Sequence, residues 1–253
     1  DDNEATTTIP LHLKPYGSTI FVFRDGEARP HVTNTTLHSI KSADETTVVV
    51  LAAQNGHHHT KVKKDGVLFT KEFVMDAIPA PMNISGEWNL VLQSPHFTRT
   101  EKKLAQLSSW TDDEQLRHFS GTGVYEIRFN MPESYVAADH ELILDLGRVG
   151  DIAEIELNGR KCGIVWMSDE ELNVTSAVKA GINKLVVKVT NTNINRVSAF
   201  TKPLPIPDEL HERFGTATAS RVPREFGFKQ LPFSGLGGPV KISVLKKVTI
   251  ALN

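Results

Sequence analysis

Cysteine is almost missing from this sequence. Cys162 stands alone, so no disulfide can close within the chain. Its setting, Arg160-Lys161-Cys162-Gly163-Ile164-Val165, reads as a strand position carrying an inert thiol, and the lack of a disulfide leaves the compartment open. No apolar run approaches the roughly 18–20 residues that span a bilayer, so no membrane span is expected. The first residues, Asp1-Asp2-Asn3-Glu4-Ala5-Thr6-Thr7-Thr8, are polar, with neither an initiator methionine nor the apolar segment of a signal peptide. The expectation is therefore an excised or processed piece of a longer protein. A dominant charge is missing too. Lys and Arg total 28 against 30 Asp and Glu, a formal net charge of −2. No basic stripe stands out, which argues against nucleic acid, whose phosphates demand clustered Lys and Arg. A neutral ligand such as a sugar is compatible with this balance.

Helical periodicity is scarce. The best helix signal is Thr111-Asp112-Asp113-Glu114-Gln115-Leu116-Arg117, where Thr111 would cap a short surface turn with acids in its first residues. What the chain has instead is a period of two. Tyr125, Ile127 and Phe129 alternate with Glu126, Arg128 and Asn130, and Leu142, Leu144 and Leu146 form a second row. Ala153, Ile155 and Leu157 alternate with Glu154, Glu156 and Asn158, and Leu185, Val187 and Val189 form a fourth row. Each row fits a half-buried strand whose apolar face packs on another sheet. Asn158-Gly159 and Asp65-Gly66 have the chemistry of tight hairpins, and Ala180-Gly181 marks a further turn. The fold class expected is all-β, an antiparallel β-sandwich.

At 253 residues there is room for one large or two modest domains. The strand pattern breaks near residues 78–83, where Pro79 and Pro81 resist a central strand. Residues 1–80, with strands expected at Thr19–Arg24, Thr47–Ala53, Lys61–Lys64 and Val67–Val74, read as a small β-rich domain or the tail of a preceding one. Residues 81–253 read as the sandwich. Thr201 to Pro232 holds five prolines and little alternation, and is expected to be a long loop wrapped over the sandwich.

The second part carries an ordered series of short motifs. Ser120-Gly121-Thr122-Gly123-Val124-Tyr125 is followed by Leu146-Gly147-Arg148-Val149-Gly150-Asp151-Ile152-Ala153, then by Ile155-Glu156-Leu157-Asn158-Gly159 and Gly163-Ile164-Val165-Trp166. Leu172-Asn173-Val174-Thr175, Lys179-Ala180-Gly181-Ile182-Asn183-Lys184-Leu185, Val189-Thr190-Asn191 and Ser234-Gly235-Leu236-Gly237-Gly238-Pro239-Val240 complete it. This order resembles the galactose-binding-like jelly roll of glycoside hydrolase family 2 sugar-binding domains, and in particular the C-terminal part of family 106, α-L-rhamnosidase-like enzymes. The resemblance covers residues 84–247, and residues 11–24 look like the β segment that precedes this module. Two positions depart from the pattern: Met167-Ser168-Asp169-Glu170-Glu171 stands where a proline or aromatic residue is usual, and Gly237 where a second leucine is usual. The resemblance implies a non-catalytic accessory module of a larger glycoside hydrolase, in an extracytoplasmic setting, with carbohydrate and the parent chain's catalytic domain as partners. It places the catalytic acids in a separate barrel domain. It implies no cofactor, and leaves room for the structural calcium common in related jelly rolls.

Against that background four residues are candidates for contact with carbohydrate. Trp166 offers an aromatic platform for an apolar pyranose face, or else packs in the core. Asn191, Asn195 and Arg196 follow a strand end, where they either hydrogen-bond sugar hydroxyls or, for Arg196, pair with Asp145 or Asp151 and fix the loop. Trp88 reads as core and Trp110 as a surface anchor. No pair of carboxylates is spaced for glycoside hydrolysis, so none is assigned as catalytic. His57, His58 and His59 lack a second cluster to complete a metal site and read as a mobile polar loop. The glycine turns feed no helix, which excludes a phosphate cradle. Two further readings stay open: an autonomous carbohydrate-binding module with an exposed aromatic cleft, and a structural or adhesive sandwich that contacts only protein.

Overall fold

The computed structural model describes residues 29–166, 170–199, 208–214 and 231–252, together with positions 9, 11, 13 and 17–23. In chain order the first strands are β1 (His31–Thr35), β2 (Ser39–Ala43), β3 (Thr47–Ala52), β4 (Gly56–Lys64) and β5 (Val67–Met75). Next come β6 (Met82–Asn83), β7 (Trp88–Ser94), β8 (Phe97–Leu104), β9 (Thr122–Met131), β10 (His140–Asp145) and β11 (Arg148–Gly150). Then follow β12 (Ile152–Leu157), β13 (Arg160–Val165), β14 (Glu171–Asn173) and β15 (Gly181–Thr190). Helices α1 (Ile194–Val197) and α2 (Asp208–Phe214) precede β16 (Gly235–Gly238) and β17 (Lys241–Ala251).

Two sheets make the sandwich. One has the order β14-β10-β17-β3-β2 with β6 beside β17, and the other the order β13-β12-β15-β9-β7-β8. The strand pairs in both are antiparallel. The period of two in the sequence maps directly onto them. Tyr125, Ile127, Phe129, Ala153, Ile155, Leu157, Leu185, Val187 and Val189 are buried, and so are Leu142, Leu144, Ile242 and Val244 of the facing sheet. All belong to one continuous apolar core. Each Val, Leu, Ile or Phe side chain so removed from water contributes about 1.5–3 kcal/mol, which is what holds the two layers together.

The hairpins form where the turn chemistry demands. Asn158 and Gly159 adopt φ of 53° and 81°, and Asp65 and Gly66 adopt 51° and 76°. The strand pattern does break at the two prolines, where Ile78 is tied at both its N–H and its C=O to the Asn55 amide. Sheet pairing does not break there. Val48, Val49 and Val50 of β3 lie in register with Ile250, Thr249 and Val248 of β17, so residues on both sides of position 80 share one sheet.

Several expectations are corrected. His57–His59 are not a loop but the first half of β4, because Asp65-Gly66 turns the chain so that β5 pairs along its whole length, His57 opposite Val74 and His59 opposite Glu72. Residues 19–23 form no strand: Ile20 is 88% exposed and Phe23 79%, and no strand among the described residues pairs with them, while Arg24 lies outside the described residues. The turn at Trp110–Asp112 is capped by Ser109, whose Oγ accepts from the Thr111 N–H at 3.2 Å, and not by Thr111. Most of Thr201–Pro232 lies outside the described residues, but Asp208–Phe214 is helical.

The β2–β3 turn yields a pH dependence. The Asp44 carboxylate accepts from the backbone N–H groups of Thr46 and Thr47 at 2.9 and 2.8 Å, and from both their hydroxyls at 2.9 Å. These bonds, the backbone ones first, lower its pKa from 3.8 to about 2. A folded-state pKa below the unfolded one means that the turn's stabilisation is fully present above the unfolded value and lost as pH falls through the folded one. A carboxyl carbon titration by NMR is expected to place the Asp44 midpoint near 2. A midpoint at the ordinary carboxylate value would show that the turn does not hold the charged form.

Candidate functional site

The residues picked out by sequence fall into two environments. Asn191, at the end of β15, and Asn195, in α1, are buried, at 8% and 0% exposure. The Asn191 Oδ1 accepts from the Gly121 N–H at 2.9 Å, while its Nδ2 donates to the Phe119 carbonyl at 2.9 Å and to the Ser234 hydroxyl at 3.2 Å. Asn195 Nδ2 donates to that same hydroxyl at 3.2 Å and to the Arg117 carbonyl at 3.3 Å. Ser234 is also clamped to Ser109: its N–H donates to Ser109 Oγ at 3.0 Å, and its carbonyl accepts from the Trp110 N–H at 2.9 Å. The two asparagines thus belong to a buried polar hub joining the Ser109–Phe119 turn, the end of β15 and the start of β16.

Trp110 is the apolar centre of this hub. It is 2% exposed, stacks on Tyr125 with an interplanar angle of 4°, and meets Phe119 edge-on at 5.1 Å. The expected surface anchor is therefore a core residue. Acids follow it in sequence, but the 3-10 turn capped by Ser109 rolls the indole inward and leaves those acids outside. The Tyr125 hydroxyl accepts from the Leu236 N–H at 3.0 Å, and burial pushes its pKa up to about 12. Gly235 has φ of 89°, and a Cβ there would lie 2.7 Å from both Trp110 Nε1 and the Tyr125 hydroxyl, so only glycine fits.

Arg196 is half-buried beside the hub, and its backbone N–H donates to Ser120 Oγ at 3.0 Å. The two acids considered for it have other partners: Asp145 pairs with Lys241 at 3.1 Å, and Asp151 accepts from the Thr192 N–H at 3.0 Å.

Trp166 stands apart from this interior and is 62% exposed. It follows β13 by one residue. Val165 pairs with Ala153 and both point into the core, so Trp166 and Ile152 emerge together on the outer face of the sheet. Ile164 emerges on that face opposite Glu154 and is 54% exposed. Beside it Glu154, Glu156, Lys161, Gly163, Ile164 and Lys188 surround a depression of about 200 Å³. Elsewhere on this sheet charges pair, as in Lys184–Glu126 at 2.8 Å. Among the described residues, Glu154, Glu156, Lys161 and Lys188 have no ion-pair or hydrogen-bond partner for their side chains. Sequence reading caught Trp166 and missed the rest, though a signal existed: Ile152 and Ile164 are apolar residues at positions where the alternation demands polar ones.

A second depression, of about 470 Å³, lies over His57–His59 and Glu72–Val74. His59 Nε2 hydrogen-bonds Asn34 Oδ1 at 2.8 Å and His58 Nε2 the Gln54 carbonyl at 3.0 Å. Among the described residues no group of His, Cys, Asp and Glu is arranged to hold a metal ion. Cys162 is half-buried, and that burial raises its thiol pKa, which suits an unreactive strand residue.

Comparison with known proteins now adds to this geometry. No family model matches the chain. Over 186 residues it is 35% identical to a protein of Formosa agariphila provisionally named a beta-glucuronidase, a match covering 67% of this chain and 16% of that protein. The chain is related to glycoside hydrolases. It spans about a sixth of the length of that relative. Among solved structures, the rhamnosidase from Novosphingobium sp. PP1Y superposes with a TM-score of 0.51 at 18% identity, covering 84% of this chain and 25% of that one. The beta-glucuronidase of Bifidobacterium dentium, solved with coumarin-3-O-glucuronide, gives a TM-score of 0.46 at 21% identity, covering 68% and 31%. The rhamnosidase likeness establishes the shared sandwich fold.

Proposed function

We propose that the chain is a non-catalytic accessory module of a larger glycoside hydrolase, which packs against the catalytic part and helps to place its carbohydrate substrate. The observation that carries this reading is the 35% identity spread over 186 residues that make up only 16% of the relative. A homologous stretch of that size, folded as a sandwich around a core of its own, is one module of a larger enzyme. The disposition of carboxylates supports it. Glu141, the buried acid of β10, is neutralised by Lys41 and Lys247 and accepts from Asn173, and Asp113 is held by Lys102. Glu154 and Glu156 stand side by side on one open face, whereas glycoside hydrolysis needs two carboxyls flanking the scissile bond. The reading includes the family 106-like jelly roll as the module type and an extracytoplasmic setting.

The test is turnover by the 253-residue chain of aryl α-L-rhamnosides, β-D-glucuronides and β-D-galactosides. The expected result is hydrolysis no faster than in buffer. Saturable hydrolysis that is lost on Glu154→Gln or Glu156→Gln would overturn the proposal.

A further inference from the structure

The outer face of β12, β13 and β15 combines three features. The first is an apolar strip: Trp166 and Ile164 lie two residues apart on the same face of the edge strand, and Ile152 lies across from Trp166. Their exposures, 62%, 54% and 47%, are high for such large apolar side chains. Trp88 and Trp110, the other two tryptophans, are each 2% exposed. The second is the depression of about 200 Å³ that begins at Ile164 and continues the strip. The third is its wall, where Glu154 stands opposite Lys188 and Glu156 opposite Lys161 across the ladders, four charges that close no ion pair among the described residues.

We infer that this face is an oligosaccharide-binding site, with one pyranose stacked on Trp166 against Ile152 and Ile164 and the next seated in the charged depression. The inference rests on the accessory-module reading and names where such a module would hold sugar. The chemistry matches at both ends. A pyranose has an apolar face of axial C–H groups, which suits an indole, and a rim of hydroxyls, each both donor and acceptor. Lys161 and Lys188 supply donors, and Glu154 and Glu156 supply acceptors. Residues two apart on a strand are about 6.6 Å apart, the scale of one sugar ring, so the strip and the depression form adjacent subsites. Their platform is preformed: the β12–β13 ladder fixes Ile152 and Ile164, and the Trp166 N–H donates to Glu170 Oε2 at 3.1 Å.

A protein partner fits this surface less well. A standard interface takes about 800 Å² from each side and keeps charges away from its centre. Here the apolar part is three side chains, and the concave part is the charged one.

The experiment titrates the 253-residue chain with L-rhamnose, D-galactose, D-glucuronic acid and short pectic oligosaccharides. It follows acrylamide quenching of tryptophan emission, which reports Trp166 because the other two indoles are buried, and ¹H–¹⁵N shifts. The expected result is saturable protection from quenching by at least one oligosaccharide, with shifts centred on Ile164, Trp166 and Lys188. Trp166→Ala should weaken binding at least about tenfold without moving the unfolding midpoint. Lys161→Ala with Lys188→Ala should weaken it severalfold. No saturable change with any probe, or unchanged affinity in a folded Trp166→Ala variant, would overturn the inference. If instead Trp166→Ala abolished binding of the chain to the catalytic part of its parent enzyme and no sugar bound, the face would be a protein contact. That outcome sinks the sugar site while leaving the accessory-module proposal standing.

Discussion

Replacing Trp110 by alanine is expected to lower the free energy of unfolding by about 3–5 kcal/mol, the range for deleting a large aromatic from a packed core. The indole is 2% exposed and contacts two other rings, Phe119 edge-on and Tyr125 stacked. A Cβ placed on Gly123 would lie 2.4 Å from its ring, so β9 is shaped around it. The surrounding strands cannot collapse into the space, because Tyr125 is held through its hydroxyl to the Leu236 N–H and β16 is held through Ser234. Guanidinium unfolding followed by circular dichroism measures the loss, and Trp110→Phe should recover much of it. Were Trp110 the surface anchor that its acidic neighbours suggest, the change would stay within about 0.5 kcal/mol.

The contrast between Trp110 and Trp166 shows how far the sequence could be read. Alternation gave the sandwich because apolar residues two apart along an extended chain must share a face, whatever the partner strand turns out to be. Asn158-Gly159 and Asp65-Gly66 gave their hairpins because few residues tolerate the positive φ that a tight turn requires. What alternation could not give was the fate of a residue outside any row. Trp110 lies in an irregular turn, where its direction depends on a cap by Ser109 and on a segment more than a hundred residues later. By sequence Trp166 reads as either core or platform. One residue of pairing register beyond Val165 decides between them and puts it outside.

The same limit applies to the strands before position 80. Their pattern was visible, but nothing local in Thr47–Ala52 shows that it pairs with Lys241–Ala251 at the other end of the chain. The His57–His59 run looked like a loop because three polar residues break the alternation. A strand lying beside a fully paired neighbour tolerates them, since its ladder uses the backbone alone. By sequence Asn191 and Asn195 read only as candidates for sugar contact. Their burial depends on hydrogen bonds to Ser234, which no local pattern connects to them.

The second large effect follows from that hub. Asn191→Ala removes three hydrogen bonds inside the protein and leaves the Gly121 N–H and the Phe119 carbonyl without partners. The buried Phe119 carbonyl so orphaned costs about 1–3 kcal/mol and the half-buried Gly121 N–H adds less, for an expected total of about 3 kcal/mol. Asn195→Ala should cost less, about 1–2 kcal/mol, because the Asn195 Oδ1 has no hydrogen-bond partner among the described residues and its removal relieves part of the loss.

The polar and aromatic groups between the sheets hold the fold, whereas Trp166, 62% exposed on the outward face, is not part of that core. The most direct measurement is the unfolding free energy of Asn191→Ala and Trp166→Ala, compared with the unchanged chain in one guanidinium series. A loss of about 3 kcal/mol is expected for the first and of less than about 0.5 kcal/mol for the second. A stable Asn191→Ala beside a strongly destabilised Trp166→Ala would contradict it.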